Sequence, residues 1–284
     1  MNNFTLVIDE SGAKGYASTP ERSVGEIGLM AGFTYNTQDI QTITRTFSYY
    51  LSDFITFRDN KFHITDLSIK QQRDIRKLIF TIAKKLKLEW MFSAVYAQGF
   101  HESRFANERG HRNKGKLLHV ELFRSMLMKS VTLASDQNIK DLKLKVLTDT
   151  IDPGTMKKFQ ATAVDIRYLF LNEPKTYTTK YWDSKRNKVR ESSIEMSIHS
   201  EKTPTFSSLD IEIVCEKSIL TIIADVLANS TLFYLKQNQQ QNLIKGLNTQ
   251  SAINGHPLTS LALMPQKSGD YFSILDTTYQ RKIV

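Results

Sequence analysis

The sequence predicts an α/β protein in which helices flank a mixed β-sheet. Segments rich in strand-forming residues alternate with segments of helical periodicity along the 284 residues. Apolar residues make up 40% of the chain and include 16 Phe and 11 Tyr, enough to fill a sizeable core. No internal repeat interrupts this alternation, which is typical of layered α/β domains.

The first half of the chain begins with a strand that is predicted to be buried on both faces. Phe4, Leu6 and Ile8 share one face of segment 4–9, and Val7 lies on the other. The next patterns along the chain predict a strand over 24–35, a helix over 37–55 capped by Thr37, a helix over 68–86 and a strand over 89–97.

The second half continues the alternation after a polar segment, 101–116, that predicts a loop. The predicted elements are then a helix over 117–134, a strand over 142–149, a helix over 152–170, a hairpin over 175–200, a strand over 209–215 and a helix over 218–236. Asp152 and Pro153 occupy the N-cap and first helical positions of their helix. A segment rich in Gln and Asn, 237–250, precedes a short C-terminal unit.

Composition limits where the protein works and what it contacts. The single cysteine, Cys215, cannot form an internal disulfide, and the N-terminus lacks a signal-peptide pattern. No apolar run approaches the roughly 20 residues that span a bilayer, so we expect a cytoplasmic protein without a membrane segment. The net charge of +9 favours a polyanionic partner.

Three aspartates stand where the local pattern predicts buried surroundings. Asp9 ends the first strand, Asp149 ends the strand over 142–149, and Asp225 interrupts a helix that is apolar nearly all the way round. A buried carboxylate must be protonated, matched by a cation or bound to a metal. Carboxylates that converge are the usual ligands of hard divalent ions in phosphoryl transfer.

Four motifs resemble the bacterial DUF3800 family. They are LVIDESG at 6–12, KFHITDL at 61–67, VLTDT at 146–150 and IIADVLANSTLFYL at 222–235. The resemblance covers about residues 4–236 and implies a ribonuclease H-like domain over 1–236, with insertions, and a C-terminal extension over 237–284 packed on it.

The resemblance also implies a set of site residues. Asp9, Asp149 and Asp225 would bind Mg²⁺ or Mn²⁺, with Glu10 and His63 as further catalytic candidates. Lys61 stands where relatives tend to carry an acidic residue, which puts a fourth acidic ligand in doubt.

Each site residue has a simpler interpretation. Asp9 would begin a turn, Asp149 would cap the next element of the chain, and Asp225 would pair with a cation from another helix. Glu10 would be a solvated neighbour, and His63 would have a structural role.

Segment 175–190 interleaves aromatic and basic residues in a manner typical of surfaces that bind single-stranded nucleic acid. The candidates are Lys180, Trp182, Lys185, Arg186 and Lys188. An ordinary hairpin with its aromatic side chains packed inward and its lysines solvated explains the same residues.

These features together predict a metal-dependent nuclease that acts on DNA or RNA. The alternative is a catalytically silent protein that keeps the fold and binds nucleic acid or an effector partner. The sequence contains no phosphate-binding loop of the GxxxxGKS kind and no GxSxG elbow. These absences disfavour a P-loop nucleotide-binding protein and a hydrolase with a serine nucleophile. The resemblance further implies a role in phage defence with a protein partner encoded nearby, and it leaves the oligomeric state open.

Overall fold

A computed structural model of the chain describes residues 2–13, 21–52, 64–103, 115–196 and 205–263. Its centre is a five-stranded sheet, and the chain also forms a separate two-stranded sheet. The strands are β1 (Asn2–Gly12), β2 (Ile27–Asn36), β3 (Trp90–Tyr96), β4 (Asp141–Thr148), β5 (Lys175–Asp183), β6 (Lys188–Met196) and β7 (Ser208–Cys215).

The central sheet is mixed, with β1 in the middle of the order β3-β2-β1-β4-β7. β1 pairs antiparallel with β2, and β2 pairs antiparallel with β3. On its other side β1 pairs parallel with β4, which pairs parallel with β7. This sheet and its helices confirm the α/β class and the mixed sheet.

Helices cover both faces of the central sheet. They are α1 (Ile40–Leu51), α2 (Ile69–Lys85), α3 (Ala97–Glu102), α4 (Gly115–Asp136), α5 (Pro153–Leu171) and α6 (Ile219–Gln240). Val7 lies in the core that β1 shares with α1, α2 and α6. Leu6 and Ile8 lie in the opposite core, against α4 and α5. The prediction that the first strand is buried on both faces is therefore confirmed.

Side-chain caps define the starts of two helices, of which the sequence pattern predicted the one at Asp152. The Ser68 hydroxyl accepts the N–H of Gln71, whose side chain reaches back to the Ser68 backbone, so α2 begins with a capping box. The Asp152 carboxylate accepts the N–H groups of Gly154 and Thr155 at the start of α5, as predicted.

Two sequence predictions are corrected. Thr37 does not cap a helix, because the Asn36 side chain accepts the Gln38 N–H and a 3₁₀ turn over Thr37–Asp39 precedes α1. Segment 101–116 is not wholly a loop, because α3 runs to Glu102 and α4 begins at Gly115. Residues 104–114 lie outside the described residues.

The described residues after α6, which extend to 263, pack against the same core. α6 continues to Gln240, beyond the predicted end at 236, and Leu247, Ile253 and Leu258 are buried with it. Asn248 pairs with both backbone groups of Ala94, at 2.7 Å to its N–H and 2.8 Å to its carbonyl oxygen. This side chain therefore satisfies backbone hydrogen-bonding groups of β3, which is one edge strand of the central sheet.

α6 corrects the expectation that no apolar run approaches the length of a membrane span. The helix, Ile219–Gln240, contains an 18-residue window with a mean hydropathy of 1.4, which is long and apolar enough to cross a membrane by length and composition alone. However, 67% of that window is buried inside the protein, where α6 packs on the sheet. The burial is compatible with a soluble protein whose core helix is unusually apolar.

Candidate functional site

The central strands bring Asp9 next to the point where β4 ends. The prediction that Asp9 ends the first strand is wrong, and Asp9 does not begin a turn either, because β1 continues to Gly12 in pairing with β2. The parallel pairing of β1 with β4 stops at Ile8 opposite Thr148, so Asp9 and Asp149 are the residues that follow this last pair. Val7 and its partner Leu147 face the core that contains α6. Because side chains alternate along a strand, Asp9 belongs to that face too.

The Asp9 carboxyl lies in a crowded acidic environment. Burial raises its pKa well above the ordinary value, and the charges of Glu10 and Asp225 raise it further. A hydrogen bond from the Glu10 backbone lowers the pKa of Asp9, but this effect is smaller than that of burial, of the Glu10 charge or of the Asp225 charge. The fold therefore brings together Asp9 and Asp225, which are more than 200 residues apart in the sequence.

Asp225 is half-buried in α6, between the buried residues Ala224 and Val226. Its Oδ2 accepts the backbone N–H of Ile64 at 2.9 Å. The Arg76 guanidinium of α2 lies close enough that the Asp225 charge partly offsets the effect of burial, which lowers the pKa of Arg76. The simpler interpretation of Asp225, as the partner of a cation from another helix, thus has a specific candidate.

Sequence reasoning missed Arg76. Its guanidinium donates to the side chains of Gln72 and Asn229, and Asn229 lies one turn after Asp225 on α6. Its Nε is buried and has no hydrogen-bond partner among the described residues. Nothing in the α2 pattern distinguishes Arg76 from the other cations of that amphipathic helix.

Asp149 lies one residue beyond β4, where the chain leaves the sheet. Its Oδ1 accepts the N–H of Thr150 at 2.6 Å. The cap of α5 is Asp152, three residues later, so Asp149 does not start that helix.

The described part of the chain contains no group of three or more His, Cys, Asp or Glu side chains arranged to hold a metal ion. His63 and Lys61 lie outside the described residues.

The Glu10 side chain reaches His119 of α4 and also interacts with the Asp9 carboxyl. Its Oε2 is 3.7 Å from Nε2 of His119, and the two side chains are 17% and 4% exposed. Glu10 is therefore not a fully solvated neighbour of Asp9. His119 also packs its ring edgewise against Phe159, and sequence reasoning missed it because a lone histidine in an apolar helix carries no functional signal.

The hairpin of β5 and β6 exposes its aromatic side chains. Trp182 is 59% exposed, and Tyr177 and Tyr181 are nearly half exposed, which contradicts the alternative in which they pack inward. Nζ of Lys180 lies 3.7 Å from Oε2 of Glu191 on the neighbouring strand, so these two side chains form an ion pair.

The other three basic candidates of the hairpin lie at its tip. Lys185 and Arg186 are in the turn, where their N–H groups donate to Asp183, and Lys188 opens β6. Among the described residues, no carboxylate forms an ion pair with Lys185, Arg186 or Lys188. The tip is therefore basic and lies beside an exposed tryptophan.

The described elements define an α/β protein with a five-stranded mixed sheet between two layers of helices. Comparison of the chain with protein-family models, curated proteins and solved structures found no match.

Proposed function

We propose that this protein is a metal-dependent nuclease with a ribonuclease H-like core that acts on DNA or RNA. The observation that carries the proposal is the meeting of Asp9 on β1 with Asp225 on α6, beside the end of β4 where Asp149 follows. The carboxyl ends of parallel strands are the usual place for ligands in open α/β sheets.

The donor groups suit Mg²⁺ or Mn²⁺ in their chemistry. Asp9, Asp149 and Asp225 offer the carboxylate oxygens that hard divalent ions prefer, and the repulsion that Glu10 and Asp225 exert on Asp9 is what a bound cation would relieve. Bound there, the metal would activate water and stabilise the leaving oxygen of an in-line displacement. The protein's own part is to hold the carboxylates, with the Ile64 N–H orienting Asp225.

A second candidate function is nucleic-acid or effector binding without catalysis. Two observations favour it: the described residues contain no ready group of three metal ligands, and Arg76 already brings a positive charge to Asp225. This protein would keep the sheet and the basic surfaces and lack cleavage. A cleavage assay on single- and double-stranded DNA and RNA, with Mn²⁺ or with EDTA, separates the two functions.

The DUF3800 resemblance supports the nuclease proposal and extends it. The motifs LVIDESG and IIADVLANSTLFYL carry Asp9 and Asp225, the two residues that meet. On the same resemblance we propose a role in phage defence, with a protein partner encoded nearby. A cytoplasmic location is proposed from the single cysteine, Cys215, which cannot form an internal disulfide. Plaque counts on cells that carry wild-type protein or the Asp9→Asn variant test the defence role.

Metal binding is expected to raise the melting temperature of the wild-type protein. A ligand that binds only the folded state stabilises it by about 2.7 kcal/mol at about 100 times its Kd. For a chain of this size that corresponds to a shift of several degrees. The measurement is thermal unfolding with millimolar Mn²⁺ and with EDTA, and Asp9→Asn is the control. Equal shifts in melting temperature for the two proteins would show that Asp9 does not bind the metal.

The hairpin tip is expected to contribute to nucleic-acid binding. Replacing Lys180, Lys185, Arg186 and Lys188 together by Ala should weaken binding to single strands and flatten its salt dependence. Removal of each phosphate contact lowers the log–log slope by roughly 0.7. Because Lys180 is already paired with Glu191, we expect the three tip residues to account for most of the change.

Trp182→Ala distinguishes stacking from charge in the same salt titration. Loss of a stacked base should cost about 1–3 kcal/mol and leave the slope unchanged. An unchanged slope in the quadruple variant would mean that the hairpin is an ordinary solvated one and that nucleic acid binds elsewhere.

A further inference from the structure

A second basic surface lies between α2 and α6, and its lining includes no residue of the hairpin. It is an open cleft of about 590 Å³, which we call the α2–α6 groove. Its lining includes Arg73, Arg76, Lys77 and Lys84 of α2 and Phe233 and Tyr234 of α6. The cleft thus combines four cations with three aromatic rings, those of Phe80, Phe233 and Tyr234.

Helical spacing aligns the cations along one side of the groove. Arg73, Lys77 and Lys84 are exposed, and their spacing of four and seven residues places them on one face of α2. From Arg73 to Lys84 this face extends over about 16 Å at 1.5 Å per residue. Among the described residues no carboxylate forms an ion pair with any of these three cations. Their charge is therefore available to a polyanion.

The other side of the groove presents an exposed aromatic ring. Phe233 is 59% exposed, although it belongs to a helix that is otherwise largely buried. Tyr234 packs edgewise against it with a distance of 5.3 Å between ring centroids, which holds the phenyl ring in place. An exposed, supported ring beside a row of cations is the combination on which single-stranded nucleic acids stack.

The groove leads to the acidic site. Asp225, Asn229 and Phe233 are spaced four residues apart, so they follow one face of α6. Arg76 lines the groove, bonds to Asn229 and lies within the electrostatic reach of Asp225. One end of a strand held in the groove would therefore lie near Asp225.

We propose that the α2–α6 groove binds one strand of nucleic acid and guides it to the acidic site. Arg73, Lys77 and Lys84 contact phosphates, and Phe233 stacks on a base. The proposal rests on the proposed function for the identity of the ligand, but binding in the groove requires neither metal nor cleavage. The hairpin would then hold a more distant part of the same strand.

The test measures binding of labelled oligo(dT) and oligo(U) by fluorescence anisotropy in EDTA across a salt series. The groove variant carries Arg73→Ala, Lys77→Ala and Lys84→Ala. The matched control carries Lys140→Ala, Lys143→Ala and Lys157→Ala, which removes the same charge from positions outside the groove. Circular dichroism of both variants checks that the fold is kept.

We expect the groove variant to bind at least about tenfold more weakly than the control and its log–log salt slope to fall by about 2, three contacts at roughly 0.7 each. Phe233→Ala should weaken binding roughly 5- to 150-fold with an unchanged slope. Comparison of the two oligonucleotides shows whether the strand is DNA or RNA.

Two results would overturn the groove proposal. One is a groove variant that binds as tightly as the control, and the other is a wild-type protein that binds neither oligonucleotide at low salt. Loss of binding in the groove variant together with a wild-type protein that never cleaves would support the groove and reject the nuclease. The two proposals therefore fail separately.

Discussion

Asp225→Asn is expected to abolish metal-dependent cleavage while the metal-free protein unfolds at the same temperature as wild type or higher. Asn keeps an oxygen that accepts the Ile64 N–H but removes the charge that helps to raise the pKa of Asp9. We expect a rate loss above about 100-fold, since changes at residues that only support metal ligands already cost about 10–100-fold. In the metal-free protein, relief of the repulsion with Asp9 should stabilise the fold about as much as loss of the negative charge beside Arg76 destabilises it. Arg76 keeps its hydrogen bond to Asn229.

Cleavage rates with Mn²⁺ and melting temperatures in EDTA check both halves of this prediction. Asp74→Asn on α2 is the matched control, because it makes the same chemical change at an exposed position. A marked loss of stability without metal, absent in the control, would show that Asp225 is a structural partner of Arg76 rather than a metal ligand.

Acid is expected to destabilise the fold through His256. This histidine is 3% exposed and lies among the rings of Phe80, Trp90 and Tyr234. Its Nδ1 accepts the Leu258 N–H at 3.1 Å, and its Nε2 is therefore the protonated nitrogen, 2.9 Å from the Ser230 hydroxyl. Burial lowers the pKa of His256 to about 3, so the folded protein holds the ring neutral.

The direction of the pH effect is set by the lowered pKa. The unfolded chain binds a proton at His256 below about pH 6.5, whereas the folded protein does not until about pH 3. The stability that the neutral ring contributes is present above pH 6.5 and is lost as the pH falls towards 3. At pH 5 the loss from this one group is about 2 kcal/mol.

Urea unfolding of wild type and His256→Gln at pH 7 and pH 5 measures this contribution. The variant is expected to be less stable at pH 7, because it loses ring packing, but to lose about 2 kcal/mol less than wild type between the two pH values. Parallel losses in the two proteins would contradict the prediction.

Much of the architecture was predictable because it depends on short-range patterns. The alternation of Leu6, Val7 and Ile8 predicted a strand buried on both faces, and the structure places these residues in two different cores. Asp152 before Pro153 predicted the start of α5, and the segment after 175 predicted the β5–β6 hairpin. Strand and helix periods of two and 3.6 residues are properties of neighbouring residues, so they can be read from the chain.

Other features depend on which surfaces meet, and no local period encodes that. The sequence pattern identified three aspartates whose surroundings are predicted to be buried. Only the packing of α6 on β1, however, brings Asp225 close to Asp9. The same holds for Arg76 beside Asp225, for His119 beside Glu10, and for Asn248 on the edge of β3. Periodicity sets which face of an element is apolar, whereas the contacts between charged side chains on different elements are decided by the burial of those faces against each other. The sequence by itself therefore determined the elements and the candidate acids, and only the tertiary structure decided their neighbours and the groove that leads to them.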